Sequence, residues 1–363
     1  MRIGVPTETK DQEFRVGLSP NSVRALTDRK HQVMVQAGAG LGSGFADHEY
    51  QAAGATIGTD SSAWAQELIV KVKEPLPLEY GFLRSDQILF TYLHLAANLE
   101  LTKVLLRSKI CAIAYETVET ANHRLPLLMP MSVIAGRLSV QIGARFLERQ
   151  QGGRGVLLGG VPGVASGHVV ILGGGVVGTE AAKMAIGLGA RVTIVDVNVD
   201  RLTELEALFG SRVSLLYSTT AQIEAVVPQA DLLIGAVLVP GKKAPILVKR
   251  AVVKTMRSGS VVIDVAVDQG GCIETIRTTS HSAPTYIESG VVHYGVPNMP
   301  GAVPWTATQA LNNSTLPYVL KLAAGGLGII ETDAELAMGV NVRDGTLIHP
   351  AVRSMFPQLD SKS

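Results

Sequence analysis

The sequence predicts an α/β protein of two domains, each built on a mostly parallel sheet. Three observations carry this. The chain has 363 residues, enough for two hydrophobic cores. Apolar runs of four to seven residues alternate with helical stretches along most of its length. Its 38 glycines and 47% hydrophobic content accompany only 5% aromatics, the composition of close-packed parallel sheet covered by helices. Charged residues make up 17% and the net charge is +1, which argues against a disordered chain, a nucleic-acid scaffold or a binder of acidic lipid. The stretch 155–179 carries no charged side chain and is long enough to cross a bilayer. Nine glycines and Pro162 break it, so it reads as a glycine-rich loop entering a buried strand. The start, Met1-Arg-Ile-Gly-Val-Pro, does not resemble a secretion signal, and Cys111 and Cys272, in or beside apolar runs, are expected to be reduced, buried thiols. A cytoplasmic protein is expected.

The elements follow in order. Arg2–Val5 is a short strand, and Ser19-Pro20 opens a helix with Ser as cap and Pro at its first position. Gln32–Gln36 is a strand, followed by the turn-rich 37–44 and a short helix capped by Asp47. Leu68–Val72, Ile88–Leu93 and Cys111–Tyr115 are strands ending at Lys73, His94 and Glu116, with a helix over Leu99–Arg107. From Met131 to Arg149 helical spacing runs unbroken, placing a connector between two α/β blocks that are expected to close over a ligand. Strands then read 168–172, 191–197, 213–217, 231–237, 260–266 and 291–296, with helices over 178–188 and 244–256. After Pro304 the chain reads as helix without strands, packing back on the first block. The expected domains are 1–129, 130–304 and the returning segment 305–363.

Six strands joined by helices is the count of a dinucleotide-binding domain. Its first turn carries Gly173-x-Gly175-x-x-Gly178 between an apolar strand and a helix, and a second strand ends at Asp196, 18 residues on. Gly173 permits the turn, Gly175 lets the backbone approach a pyrophosphate, and Gly178 lets helix and strand pack closely. Asp196 can accept from both ribose hydroxyls and repels a 2′-phosphate, favouring NAD over NADP, although Arg201 could lie near the adenosine end. Ser218, Leu238, Asp268 and Asn298 lie just beyond later strands and should ring one cleft at their carboxyl ends. A lone Asp reads by default as a solvated loop acid, and the place of Asp268 beyond its strand makes the two readings equal.

In the first block, Arg15, Lys73 and His94 lie at carboxyl ends of strands or in loops beyond them. Oxidising an amino or hydroxy acid needs a cation for the carboxylate, a second cation for the carbonyl oxygen, and a group that moves a proton near neutrality. Taken singly, His94 reads as a structural histidine and Lys73 as a solvated lysine. No histidine pair has metal-ligand spacing, so no metal is expected.

At these residues the sequence closely resembles the bacterial alanine dehydrogenase family, which includes the NAD(H)-binding subunit of proton-translocating transhydrogenase. The resemblance rests on collinear segments along nearly the whole chain. They are Ile3-Gly-Val-Pro-Thr-Glu, 37–45, Val72-Lys-Glu-Pro-Leu-Pro, Phe90-Thr-Tyr-Leu-His-Leu-Ala-Ala, Ala114-Tyr-Glu-Thr-Val, Met131-Ser with Ala135-Gly-Arg, 173–182, 264–271 and 298–304. It implies an inserted Rossmann domain with a parallel six-stranded sheet and a discontinuous α/β substrate domain, assembled as a homohexamer. It implies reversible conversion of L-alanine, NAD and water to pyruvate, ammonia and NADH. Arg15 and Lys73 would bind the substrate carboxylate and carbonyl, His94 would carry the proton, and Asp268 would be a second active-site acid. Ser132, Val177, Asp196, Arg201, Ser218, Leu238 and Asn298 would line the NAD site beside the glycines. The match at Arg201 is looser, and the segment after Leu336 carries no implied role. Nucleic acid and membrane are not expected partners. Two other readings remain at this point. One is a transhydrogenase subunit passing hydride to a partner's NADP, against which Arg15, Lys73 and His94 argue. The other is a non-catalytic NAD-sensing module.

Overall fold

A computed structural model describes residues 1–237 and 244–359. They divide into two units, 1–131 with 303–359, and 132–237 with 244–302. The first unit contains strands β1 (Arg2–Val5), β2 (Gln32–Gln36), β3 (Thr56–Gly58), β4 (Leu68–Val70), β5 (Ile88–Thr91) and β6 (Cys111–Ala114). The second contains β7 (His168–Leu172), β8 (Arg191–Asp196), β9 (Ser214–Tyr217), β10 (Leu232–Gly235), β11 (Val261–Asp264), β12 (Thr285–Glu288) and β13 (Val291–Tyr294). The chain then returns to the first unit with β14 (Val340–Arg343) and β15 (Thr346–Leu347).

The first sheet runs β15-β14-β6-β5-β4-β1-β2-β3, and its strands from β3 to β6 are all parallel. The second runs β12-β13-β11-β10-β7-β8-β9, parallel except for β12. Both therefore share one winding order. In each unit the chain starts at the middle of the sheet, moves out to one edge, then returns to the other side of the starting strand. The order reverses beside β1 and β4 in the first sheet and beside β7 and β10 in the second. In sheets of this kind ligands sit beyond the carboxyl ends at that reversal.

Strands buried on both faces explain why the apolar runs were continuous. Every residue of β4, β5, β6, β7, β10, β11 and β13 is buried. The returning segment completes the first core, where Val342, Leu347, Val352 and Phe356 pack with Trp64, Leu89 and Leu101.

The structure corrects several expectations. The returning segment does carry strands: β14 pairs antiparallel with β6 and with β15. The second sheet has seven strands, because β12 adds an antiparallel edge to the expected six. Both additions are hairpins. Asp344-Gly345 and Ser289-Gly290 turn with positive φ at both residues, the conformation that matches strand twist. The stretch 244–256 is helical only over Arg250–Val253. Before that it runs extended along 272–274, with the Leu247 N–H donating to the Cys272 carbonyl at 2.8 Å. The connector helix spans Met129–Phe146, with Pro130 in its first turn, where no intrahelical N–H is needed. Asp47 begins its helix rather than capping it. The Glu49 carboxylate takes the Ala46 N–H at 2.7 Å, and Asp47 accepts from Gly38 N–H. Among the described residues, no helix is long and apolar enough to cross a membrane, and no cluster suited to a metal ion is present.

Candidate active site

In the first unit the loops leaving β1, β4 and β5 gather charge at the winding reversal. β1 runs into Glu8, β4 into Lys71 and Lys73, and β5 into Tyr92 and His94. Glu8 is buried and ties two of these loops together. One carboxylate oxygen accepts from Val72 N–H at 2.7 Å, the other from Lys73 N–H at 3.2 Å. Beneath them Lys71, fully buried, reaches Glu79 at 2.8 Å and Glu8 at 3.3 Å. A buried ammonium between two carboxylates compensates its lost hydration, so this trio is a scaffold for the loop above it. Gly17 lets the loop carrying Arg15 come close to β4. A Cβ there would stand 2.3 Å from the Val70 carbonyl oxygen.

Arg15 is buried and gripped by Glu13, with Nε to Oε1 at 2.7 Å and Nη2 to Oε2 at 2.6 Å. Nη1 lies 3.1 Å from the Met131 sulfur. The fork fixes the plane of the guanidinium and, against the cost of burial, holds its charge. Lys73 is also buried, with Nζ 5.9 Å from the centre of the Tyr92 ring. Burial and the neighbouring Arg15 charge push its pKa below the usual lysine value.

His94 sits on the rim, its side chain 43% exposed. Its backbone is left-handed at φ +50°, uncommon for a residue with a Cβ. Glu116, just past β6, holds that turn by accepting the N–H of His94 at 2.6 Å and of Leu93 at 3.1 Å. The first unit thus brings Arg15, Lys73 and His94 to one edge of one sheet. Residue order did not reveal the acids that hold them: Glu8, Glu13, Glu74 and Glu116.

In the second unit the glycine turn joins β7 to the helix Val176–Gly187. Gly173 has φ +99°, and a Cβ on Gly178 would stand 1.9 Å from the Gly173 carbonyl oxygen, so only glycine allows the helix this close. Gly175, exposed, precedes the helix with nothing within 4 Å of where its Cβ would be. That leaves approach to the helix N-terminus open for a pyrophosphate. Asp196 ends β8, half-buried, accepting from Gly174 N–H at 2.6 Å and Asn198 N–H at 2.8 Å. Arg201 braces the turn: Nε donates to the Gly174 carbonyl at 2.7 Å and Nη2 to Thr179 Oγ1 at 2.8 Å, while Nη1 pairs with Glu204. These residues fit a dinucleotide with free ribose hydroxyls. Ser218, half-buried, follows β9 and donates its N–H to the Asp196 carbonyl. Asp268 is exposed beyond β11, and Asn298 follows β13 in left-handed conformation at φ +59°. Val177 is in the helix behind the turn and Ser132 in the connector helix, both half-buried. Leu238 lies outside the described residues.

Comparison with known proteins agrees along the whole chain. The family models described as alanine dehydrogenase/PNT, N-terminal and C-terminal domains, match residues 4–135 and 139–350. The alanine dehydrogenase of Staphylococcus epidermidis is 53% identical over 98% of this chain and 97% of its own length. Alanine dehydrogenase 2 of Staphylococcus aureus is 51% identical over 100% and 98%. Among solved structures, an L-alanine dehydrogenase superposes with a TM-score of 0.97 at 68% identity, covering 99% of this chain and 100% of that one. A transhydrogenase from Sinorhizobium meliloti superposes at 0.85 with 25% identity, covering 96% and 100%.

Proposed function

Because the chain belongs to the alanine dehydrogenase/PNT family, we propose that it catalyses the NAD-dependent, reversible oxidative deamination of L-alanine to pyruvate and ammonia. The observation that carries this reading is the pair of buried cations, Arg15 and Lys73, at the winding reversal of the first sheet with His94 on the rim. A non-catalytic module would have no use for two buried cations side by side, one gripped by Glu13 and the other carried on a loop that Glu8 fixes at its backbone.

The first unit's residues divide the work. Arg15, its plane set by Glu13, takes the substrate carboxylate, and Lys73 polarises the oxygen that becomes the ketone of pyruvate. Bound NAD supplies the acceptor for the hydride leaving Cα. His94 takes a proton as water adds to the imine, and returns one as ammonia leaves from the carbinolamine. In the reverse direction the same imidazole protonates the carbinolamine hydroxyl as water departs. Asp268 serves as a second acid. In the second unit, the Gly173–Gly178 turn receives the pyrophosphate and Asp196 the ribose, with Ser132, Val177, Arg201, Ser218 and Asn298 lining the same site. We place the protein in the cytoplasm as a homo-oligomer, a hexamer by resemblance. No nucleic acid or membrane is needed for this chemistry.

The test is the absorbance of NADH formed from L-alanine and NAD, with His94→Ala beside the wild type. General acid–base contributions are on the order of 10² to 10⁴ in rate, so the variant should lose most activity while binding NADH normally. Near-normal turnover would return His94 to a structural role and leave Asp268 as the proton carrier. Hydride transfer to an NADP partner without any need for alanine would instead favour the transhydrogenase reading.

A further inference from the structure

One carboxylate at the edge of the first site has no role in the mechanism above. Glu74 directly follows Lys73, and its side chain is 11% exposed. Oε1 accepts from Lys10 Nζ at 2.6 Å. Oε2 is buried and makes no hydrogen bond, but His94 Nδ1 stands 3.6 Å from it. A buried carboxylate oxygen without a partner is costly, so its surroundings call for a nearby donor. The described donor that faces it is the ring nitrogen of His94. The gap exceeds a hydrogen bond by about half an ångström. Catalytic hydrogen bonds are often long before substrate arrives and tighten in the reacting complex. The histidine is already restrained at its backbone, where Glu116 holds the left-handed turn.

We propose that Glu74, clamped by Lys10, is the positioning residue of His94. Its Oε2 accepts the Nδ1 proton, which fixes the imidazole tautomer and turns Nε2 toward the substrate. The proton moved in catalysis is taken and returned at Nε2, and Glu74 keeps its own charge throughout. The electrostatics agree. Burial opposes ionisation of Glu74, yet His94, Lys73 and Lys10 together hold it well below the usual carboxylate range. A carboxylate that stays ionised offsets the charge on the ring when Nε2 is protonated. Lys10 fixes the carboxylate from its other side, so rotation of Glu74 away from His94 would break an ion pair.

The inference rests on the reading of His94 as the proton carrier, and a double-mutant cycle separates the two. Glu74→Gln should lower kcat by about 10- to 100-fold with the KM for pyruvate nearly unchanged. In the His94→Ala background the same substitution should cost almost nothing, because its effect passes through the missing ring. Equal losses in both backgrounds would overturn the positioning role while leaving the His94 reading intact. An active His94→Ala enzyme would overturn both. NADH binding checks that each variant is folded. If Glu74→Gln fails that check, ¹⁵N spectra of the wild-type histidine rings decide: the Nδ1–H tautomer at His94 supports the proposal, and the Nε2–H tautomer rejects it.

Discussion

Lys73 is the residue whose surroundings make the sharpest pH prediction. Burial and the Arg15 charge lower its pKa, so it loses its proton before an ordinary lysine would, near 10.4. In the role proposed for it, its cation is the form that attracts pyruvate. Pyruvate affinity should therefore fall as pH rises, starting below the usual lysine range. Lys73→Arg keeps its charge at any accessible pH, so its affinity, whatever its absolute value, should stay flat over that interval. Calorimetric titration at several pH values checks this, and a flat wild-type profile would count against the assignment. Asp196 offers a second residue-level test. Its carboxylate would repel a 2′-phosphate, so Asp196→Ala should weaken NAD and narrow its advantage over NADP. Equal use of both cofactors by the wild type would rule this role out. The roles proposed for Arg15, Lys73 and His94 come from the family resemblance, but their positions at one sheet edge were legible from residue order because each follows a strand in a parallel sheet. Their partners were not. Glu8 matters through Val72 and Glu116 through His94, contacts that only folding creates.

Among the elements, β11 and the loop after it show how one carboxylate can organise a segment. Asp264, buried at the end of β11, accepts from the N–H groups of Ala266, Cys272 and Ile273 and so draws together the loop that carries Asp268. Burial pushes its pKa up to about 6, despite the three N–H groups that favour the charge. The folded state therefore keeps this proton where the unfolded chain, near 3.9, has released it. The contribution is most favourable below about pH 4, declines as pH rises to about 6, and is constant above. Asp264→Asn should remove that slope, so the difference in Tm between wild type and variant should change across this window and level off above it. A constant difference would show that Asp264 does not titrate there. Element boundaries follow the same logic of burial. β1, β2 and β7 match the sequence reading residue for residue: apolar runs mark the buried β1 and β7, and Val33 and Val35, the two buried positions, mark β2. β3 and β12 escaped because they are short and half-exposed, with no such run. The hairpins at Ser289-Gly290 and Asp344-Gly345 did carry a signal, in turn residues rather than in hydrophobicity.

At the scale of the molecule, the proposed division of labour predicts a spatial pattern of protection. NADH alone should slow amide exchange mainly in the second unit, around 173–178 and the end of β8. Exchange in the first unit around 71–74 should respond to pyruvate. Mass-spectrometric hydrogen exchange measures both, and NADH protection centred on the first unit would contradict the assignment. The fold class and the site edges were open to sequence reading, whereas the hairpin that closes the first sheet was missed because its signal lay in the turn residues Asp344-Gly345 and not in an apolar run. That hairpin has a consequence for synthesis. β6 is complete early in translation, but its antiparallel neighbour β14 is made only after the entire second unit. At ribosomal speeds the wait is on the order of 10 to 40 s. Throughout it the growing chain holds an apolar strand edge with no partner on one side, the kind of edge that recruits strands from other chains. The second unit, whose strands are continuous in sequence, can form during that interval. Newly made protein should thus be most prone to aggregate, and most dependent on chaperones, just before residues 340–347 emerge.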